Sequence, residues 1–134
     1  AISIPSGTES TRFENFNDEY KRIFSLIEKA NEKPIYLHCT AGADRTGICS
    51  FMLLTVCGAE YNDIARDYLF TNFSTQGSRI NNYESEFKQW WTKLDSFEGS
   101  TKADKAKSWL ISKGITSNQV ENIRTIFVDN YKQN

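Results

Sequence analysis

Apolar residues recur along much of the chain at helical spacing. From about Asn17 to Ala30, the set Tyr20, Ile23, Phe24 and Ile27 follows i, i+3, i+4, i+7 and predicts an amphipathic helix, with Asn17 as its expected cap. Asn31 to Pro34 should end it, because proline disfavours helical backbone in the residue before it. Pro34-Ile35-Tyr36-Leu37-His38 then reads as a short buried strand. After a glycine-containing loop, Ile48 to Val56 is apolar nearly all round and predicts a buried helix that stops at Gly58.

The remainder predicts four more helices. Asn62 should cap one carrying Ile64, Ala65, Tyr68 and Leu69, and Phe87, Trp90, Trp91 and Leu94 mark another over about Tyr83 to Leu94. Adjacent Trp90 and Trp91 point about 100° apart on such a helix, so they should face different surroundings. A third covers about Lys102 to Ser112 and ends at Gly114. The last starts at Thr116, where Thr116-Ser117-Asn118-Gln119 matches a capping box and Ile115 with Val120 matches a hydrophobic staple. Ile123, Ile126, Phe127 and Tyr131 extend its apolar side. Residues 1–12 are polar and rich in Ser, Thr and Gly after Ile2-Ser3-Ile4, and read as a mobile or loosely docked entry segment.

With 134 residues the chain fits one domain over 1–134. Sixteen basic residues oppose seventeen acidic ones, a balance that argues against a nucleic-acid partner. No apolar run nears the roughly 20 residues of a membrane span, so the chain is expected to be soluble, with cytoplasmic and secreted locations both open. Cys39, Cys49 and Cys57 have no disulfide-framework spacing. The sole histidine, His38, has no C-x-x-C pair to join in a zinc site, so neither metal nor cofactor is expected.

The chemistry concentrates between His38 and Gly47. Cys39 and Arg45 stand in a Cys-x5-Arg arrangement, between the end of a predicted strand and the mouth of a predicted helix. A thiol attacks phosphorus only as a thiolate, and such surroundings depress a cysteine pKa from about 8.5 to roughly 3.5–7.5. Backbone N–H groups of Thr40, Ala41, Gly42, Ala43, Asp44 and Arg45 can form a nest around phosphate oxygens, and Gly42 permits the tight curve. Arg45 can hold two oxygens in a fork that lysine cannot copy. The Thr46 hydroxyl is near enough in sequence to donate toward the Cys39 sulfur. Asp44 is the nearest general acid for the leaving oxygen; the alternatives are an Asp44 that only accepts loop N–H bonds, or an acid from an upstream loop. His38 is expected to buttress the loop.

His38-Cys39-Thr40-Ala41-Gly42-Ala43-Asp44-Arg45-Thr46-Gly47 resembles the HCxxGxDRTG signature of the bacterial tyrosine and dual-specificity phosphatases, a branch of the Cys-dependent phosphatases. Arg66 to Phe73 and Gly114 to Arg124 look like the helical tail of that family, so the likeness runs from about Tyr20 to Tyr131. It implies an α/β fold, a parallel sheet flanked by helices, of which this chain is mostly the helical C-terminal part plus the phosphate-loop strand. One strand is too few for such a sheet, since a lone strand leaves its backbone groups unpaired. The absent strands are expected in polypeptide before Ala1 or in a second fragment. The resemblance further implies Cys39 as nucleophile, Arg45 as phosphate ligand and Asp44 as acid, acting on a phosphorylated protein or a small phosphomonoester.

Ala43 departs from many lipid-active relatives, which carry lysine there for multiply phosphorylated headgroups. That tilts the expectation toward phosphotyrosine, with phosphoserine and phosphothreonine possible additions and phosphoinositides as the alternative. A phosphoprotein-binding pseudophosphatase is the non-enzymatic rival, and a rhodanese-like sulfurtransferase the other anion-loop enzyme. The Asp44-Arg45-Thr46-Gly47 ending favours the phosphatase. Cys49 and Cys57 are expected in the core, with a redox partnership of Cys49 and Cys39 as the alternative. Arg79 and Lys88 should be solvated surface residues, and Trp90 and Trp91 are expected to pack against the absent half.

Overall fold

The computed structural model describes residues 9–37, 45–69 and 83–132. Seven α-helices appear among them: α1 Glu9–Glu14, α2 Asn17–Ile27, α3 Arg45–Val56, α4 Tyr61–Leu69, α5 Lys88–Lys93, α6 Lys102–Ser112 and α7 Ser117–Phe127. A π turn, Tyr83–Phe87, leads into α5, and a 3-10 turn, Leu94–Ser96, closes it. α3 lies centrally, with α1, α4 and α6 packed against it. It is therefore buried along most of its length, including Gly47, Ile48, Cys49, Phe51, Met52, Thr55 and Val56.

The predicted faces are the buried ones. Tyr20, Ile23, Phe24 and Ile27 of α2 all enter the core, as do Ile64, Ala65 and Tyr68 of α4. Trp109 and Leu110 of α6 and Val120 and Ile123 of α7 complete it. Full burial of each large apolar side chain contributes about 1.5–3 kcal/mol. Thr116 caps α7 through a complete capping box with Gln119, and both staple residues, Ile115 and Val120, are buried. Gly114 takes φ +101°, a left-handed conformation that other residues rarely adopt, and so turns the chain from α6 into α7. Phe127 stays 45% exposed, at the edge of that apolar face.

Several expectations need correction. Residues 9–14 are helical, and Arg12 and Phe13 are buried. Arg12 pairs with buried Glu86 on the π turn, a partner 74 positions away that no local pattern reveals. Asn17 does not cap α2, because its Oδ1 accepts from Lys113 Nζ at 3.0 Å. Asn62 lies inside the first turn of α4, which starts when the Glu60 carbonyl accepts from the Asp63 and Ile64 amides. Trp90 and Trp91 pack within this chain: Trp90 is fully buried beside Phe51 and Tyr68, and half-buried Trp91 meets Tyr61.

No strand occurs among the described residues, so the parallel sheet of the expected α/β fold is not seen there. Residues 34–37 carry no ladder, and Ile35 and Tyr36 are 37% and 85% exposed rather than buried. A strand exists only through hydrogen bonds to a neighbour, and none of the described segments supplies one. His38 lies outside the described residues.

The corner between α1 and α2 is strained and clamped. Phe16 sits at φ 63°, ψ 40°, a left-handed conformation that costs a non-glycine residue about 1–2 kcal/mol. Lys113 donates to the Asn15 carbonyl at 3.1 Å and to Asn17 at 3.0 Å, holding the chain on both sides of that residue. Its ammonium also lies over the Trp109 and Tyr20 rings. Burial pushes the Lys113 amine down to about 8 from an ordinary 10.5, against a smaller opposing pull from Glu14.

The unfolded chain therefore binds the Lys113 proton more tightly than the folded protein. The destabilising cost of the buried charge is fully present below about pH 8 and fades as pH rises toward 10.5. Stability of the wild type relative to Lys113→Met should accordingly rise with pH across that window in chemical denaturation. A pH-independent difference would exclude this linkage.

Candidate active site

The described part of the site is the first turn of α3. Arg45 and Thr46 open the helix, both partly exposed, and are followed by buried Gly47, Ile48 and Cys49. Helix formation here follows from the apolar run, which buries the middle of α3 and leaves its N-terminus at the edge of the core. The first amides of any helix lack intrahelical acceptors, and together they carry roughly half a positive charge. The first turn of α3 contains no acidic residue and begins with a guanidinium. A cation in that position is disfavoured by about 0.3–1 kcal/mol. An anion would reverse the sign of that interaction and satisfy the amides.

Thr46 Oγ1 is buried and has no hydrogen-bond partner. A buried hydroxyl without a partner costs about 1–3 kcal/mol, so its placement calls for an explanation beyond packing. It stands one residue beyond Arg45, where the sequence reading gives it a role toward the Cys39 sulfur.

Beneath this turn lies an aromatic floor. A Cβ at Gly47 would come within 3.3 Å and 3.4 Å of Tyr68 ring atoms and 3.8 Å of Trp90. A side chain at position 47 would press on the Tyr68 ring, which would have to give by a few tenths of an ångström. Tyr68 meets Trp90 edge-on, with centroids 5.9 Å apart, and lies 5.2 Å from Phe87. Sequence reading did not identify this floor. A glycine in the first turn of an otherwise apolar helix was the available signal of close approach, though it does not say what approaches.

The other thiols differ from a reactive one. Cys49 is 2% exposed within α3, and burial pushes half-buried Cys57 up to about 11, keeping it protonated near neutral pH. Asp67, one residue before Tyr68, has its carboxyl raised by burial. Lys88 is exposed and pairs with Glu84 at 2.9 Å, a surface contact as expected. Cys39, Thr40, Ala41, Gly42, Ala43, Asp44 and Arg79 lie outside the described residues.

At its far end α3 is held by Arg124. Buried Arg124 donates through Nε to the Val56 carbonyl at 2.8 Å, through Nη2 to Ala103 at 3.2 Å, and through Nη1 to Glu121 at 3.1 Å. A cation at a helix C-terminus is favourable, and here it also ties α3 to α6 and α7. The helix that carries Arg45 is thus fixed at both ends.

Comparison with known proteins places this site in context. A tyrosine-protein phosphatase of Nostoc commune is 32% identical over 59 residues, covering 44% of this chain and 20% of that protein. A Cupriavidus necator protein with a provisional tyrosine-protein phosphatase name is 32% identical over 75 residues, covering 52% of this chain and 28% of that protein. The matches thus span between about a fifth and three-tenths of the relatives' own lengths. No solved structure matches. The profile of the tyrosine phosphatase family matches residues 7–129, nearly the whole chain including the loop, the aromatic floor and the capped C-terminal helix. The chain belongs to the tyrosine phosphatase family.

Proposed function

We propose that the protein hydrolyses phosphate monoesters, phosphotyrosine foremost, through a phosphocysteine on Cys39. The observation that carries this reading is the junction of a Cys-x5-Arg loop with the N-terminus of α3. There Arg45 occupies the first helical position and Thr46 buries an unpartnered hydroxyl. Family membership supports the same chemistry.

In this reading the Cys39 thiolate attacks phosphorus, forming an S–P bond as the P–O bond to the leaving tyrosine breaks. Asp44 gives its carboxyl proton to the departing oxygen. Arg45 and the loop amides bind the equatorial oxygens, where charge spreads in the transition state. Water then attacks the phosphocysteine and passes a proton to the Asp44 carboxylate. The S–P bond breaks, the Thr46 hydroxyl donates to the departing thiolate, and inorganic phosphate leaves. Ala43 supplies no cation for additional phosphates, which favours phosphoproteins over phosphoinositides.

Residues 1–134 would form the C-terminal part of one phosphatase domain, with the sheet of the Cys-dependent phosphatase fold completed by polypeptide outside this stretch. The exposed Ile35 and Tyr36 support that arrangement, since a strand carrying them would gain burial from a neighbour.

Phosphate release from phosphotyrosine peptides by the full-length protein tests the activity, and Asp44→Asn tests the acid. Loss of the acid should slow a poor leaving group such as a tyrosine oxygen by about 10²–10⁴-fold and p-nitrophenyl phosphate far less. Equal slowing of both would assign Asp44 a structural role. Turnover of thiosulfate without phosphate release would replace the reading by a sulfurtransferase.

A further inference from the structure

The first turn of α3 rests on the aromatic floor at two points, one helical turn apart. Gly47 lies against Tyr68 and Trp90, and Phe51, four residues on and therefore on the same face, lies 5.6 Å from Trp90 and 5.3 Å from Phe87 between ring centroids. Two contacts on one face fix both the height and the roll of a helix. Arg45 and Thr46 immediately precede Gly47, so their direction is set by that roll. With side chains reaching about 5–6 Å from the helix axis, a roll of about 10° displaces a side-chain head by about 1 Å. A displacement of that size at a reacting centre can cost about 10²-fold in rate.

A second observation concerns Trp90 itself. The residue is fully buried and its Nε1 has no hydrogen-bond partner. Trp109, equally buried, satisfies its indole by donating to the Phe13 carbonyl at 3.0 Å. Phenylalanine would fill much of the Trp90 space without an unpaired donor, which costs about 1–3 kcal/mol. The Trp90 indole thus carries a cost that the Trp109 indole does not. Thr46, which carries one unpartnered donor, precedes Gly47, and Cη2 of the Trp90 ring, which carries the other on Nε1, lies 3.8 Å from a Cβ placed at that glycine.

We propose that Tyr68 and Trp90 are positioning residues of the phosphate site, forming the floor that sets the roll of α3 and so aims Arg45 and Thr46. The proposal rests on the active-site reading above and adds to it two residues from outside the loop. Their effect is on transition-state alignment, because Arg45 binds spread charge most strongly there. Loss of the floor should therefore lower kcat and leave KM nearly unchanged.

Tyr68→Leu removes the ring from beneath Gly47 and is expected to lower kcat by about 10–10²-fold, while Tyr68→Phe keeps the ring and restores the rate. A folded Tyr68→Leu protein with full kcat would overturn the proposal, as would an equal loss in Tyr68→Phe. A second measurement stands if Tyr68→Leu fails to fold. In the 15N-labelled full-length protein titrated with tungstate, the Trp90 indole N–H signal, assigned by its loss in Trp90→Phe, should shift together with the Thr46 and Gly47 amides. The Trp109 indole should stay in place. Amide shifts without movement of the Trp90 indole would overturn the proposal alone. Tungstate that moves none of these signals would overturn the phosphate-site reading and this inference with it.

Discussion

Replacing Cys39 by serine is expected to abolish steady-state phosphate release, by at least about 10⁴-fold, while tungstate still binds. The two halves of that result have different physical origins. Turnover needs a nucleophile that is ionised at neutral pH, and a serine hydroxyl at a helix mouth lacks both the acidity and the polarisable sulfur of a thiolate. In the proposed mechanism oxyanion binding uses the loop amides, the N-terminus of α3 and Arg45, none of which the substitution removes. The other thiols cannot substitute: Cys49 is buried inside α3, and Cys57 is held protonated by burial. A Cys39→Ser protein with unchanged activity would exclude the phosphocysteine mechanism.

Arg45→Lys is the second large effect, expected at about 10²–10³-fold in kcat despite conserved charge. A guanidinium presents parallel N–H donors that match two phosphate oxygens, whereas an ammonium is a point charge on a flexible stem. The position matters as much as the charge. Arg45 begins a helix that is fixed by Arg124 at its C-terminus and by the aromatic floor at Gly47, so its backbone has little freedom to re-aim a different side chain. Near-wild-type rates in Arg45→Lys would mean that charge alone, rather than the fork, holds the phosphate.

Where local pattern decides structure, the sequence was legible. The four apolar positions of α2, the capping box and staple at Thr116, and the glycine that ends α6 all stand where spacing places them. Each depends on residues within a turn or two of one another. Asn17 shows the limit of that reasoning: it looks like a cap, but an ammonium 96 positions away takes its side-chain oxygen. Helix α1 escaped notice because six residues with a single large apolar side chain show no period, and its anchor is a buried pair with Glu86.

The site divides in the same way. The Cys-x5-Arg loop is a contiguous stretch, and the chemistry proposed for it rests on residue type and spacing within a chain of the tyrosine phosphatase family. The contact beneath the first turn of α3 is assembled from Gly47, Tyr68 and Trp90, on three helices, and no one-dimensional pattern joins them. Residues 34–37 mark the opposite limit. Their apolar character reads as strand, yet strand formation depends on a neighbour that the described segments do not contain.

The central claim, a covalent phosphoenzyme on Cys39, is tested most directly by acid-quenching the full-length protein during turnover of a phosphotyrosine substrate and mapping the phosphoryl group by peptide mass. One phosphoryl group on the peptide containing Cys39, absent from Cys39→Ser, is the predicted result. Rapid phosphate release with no phosphoryl group on that peptide, under conditions that preserve phosphocysteine, would contradict it.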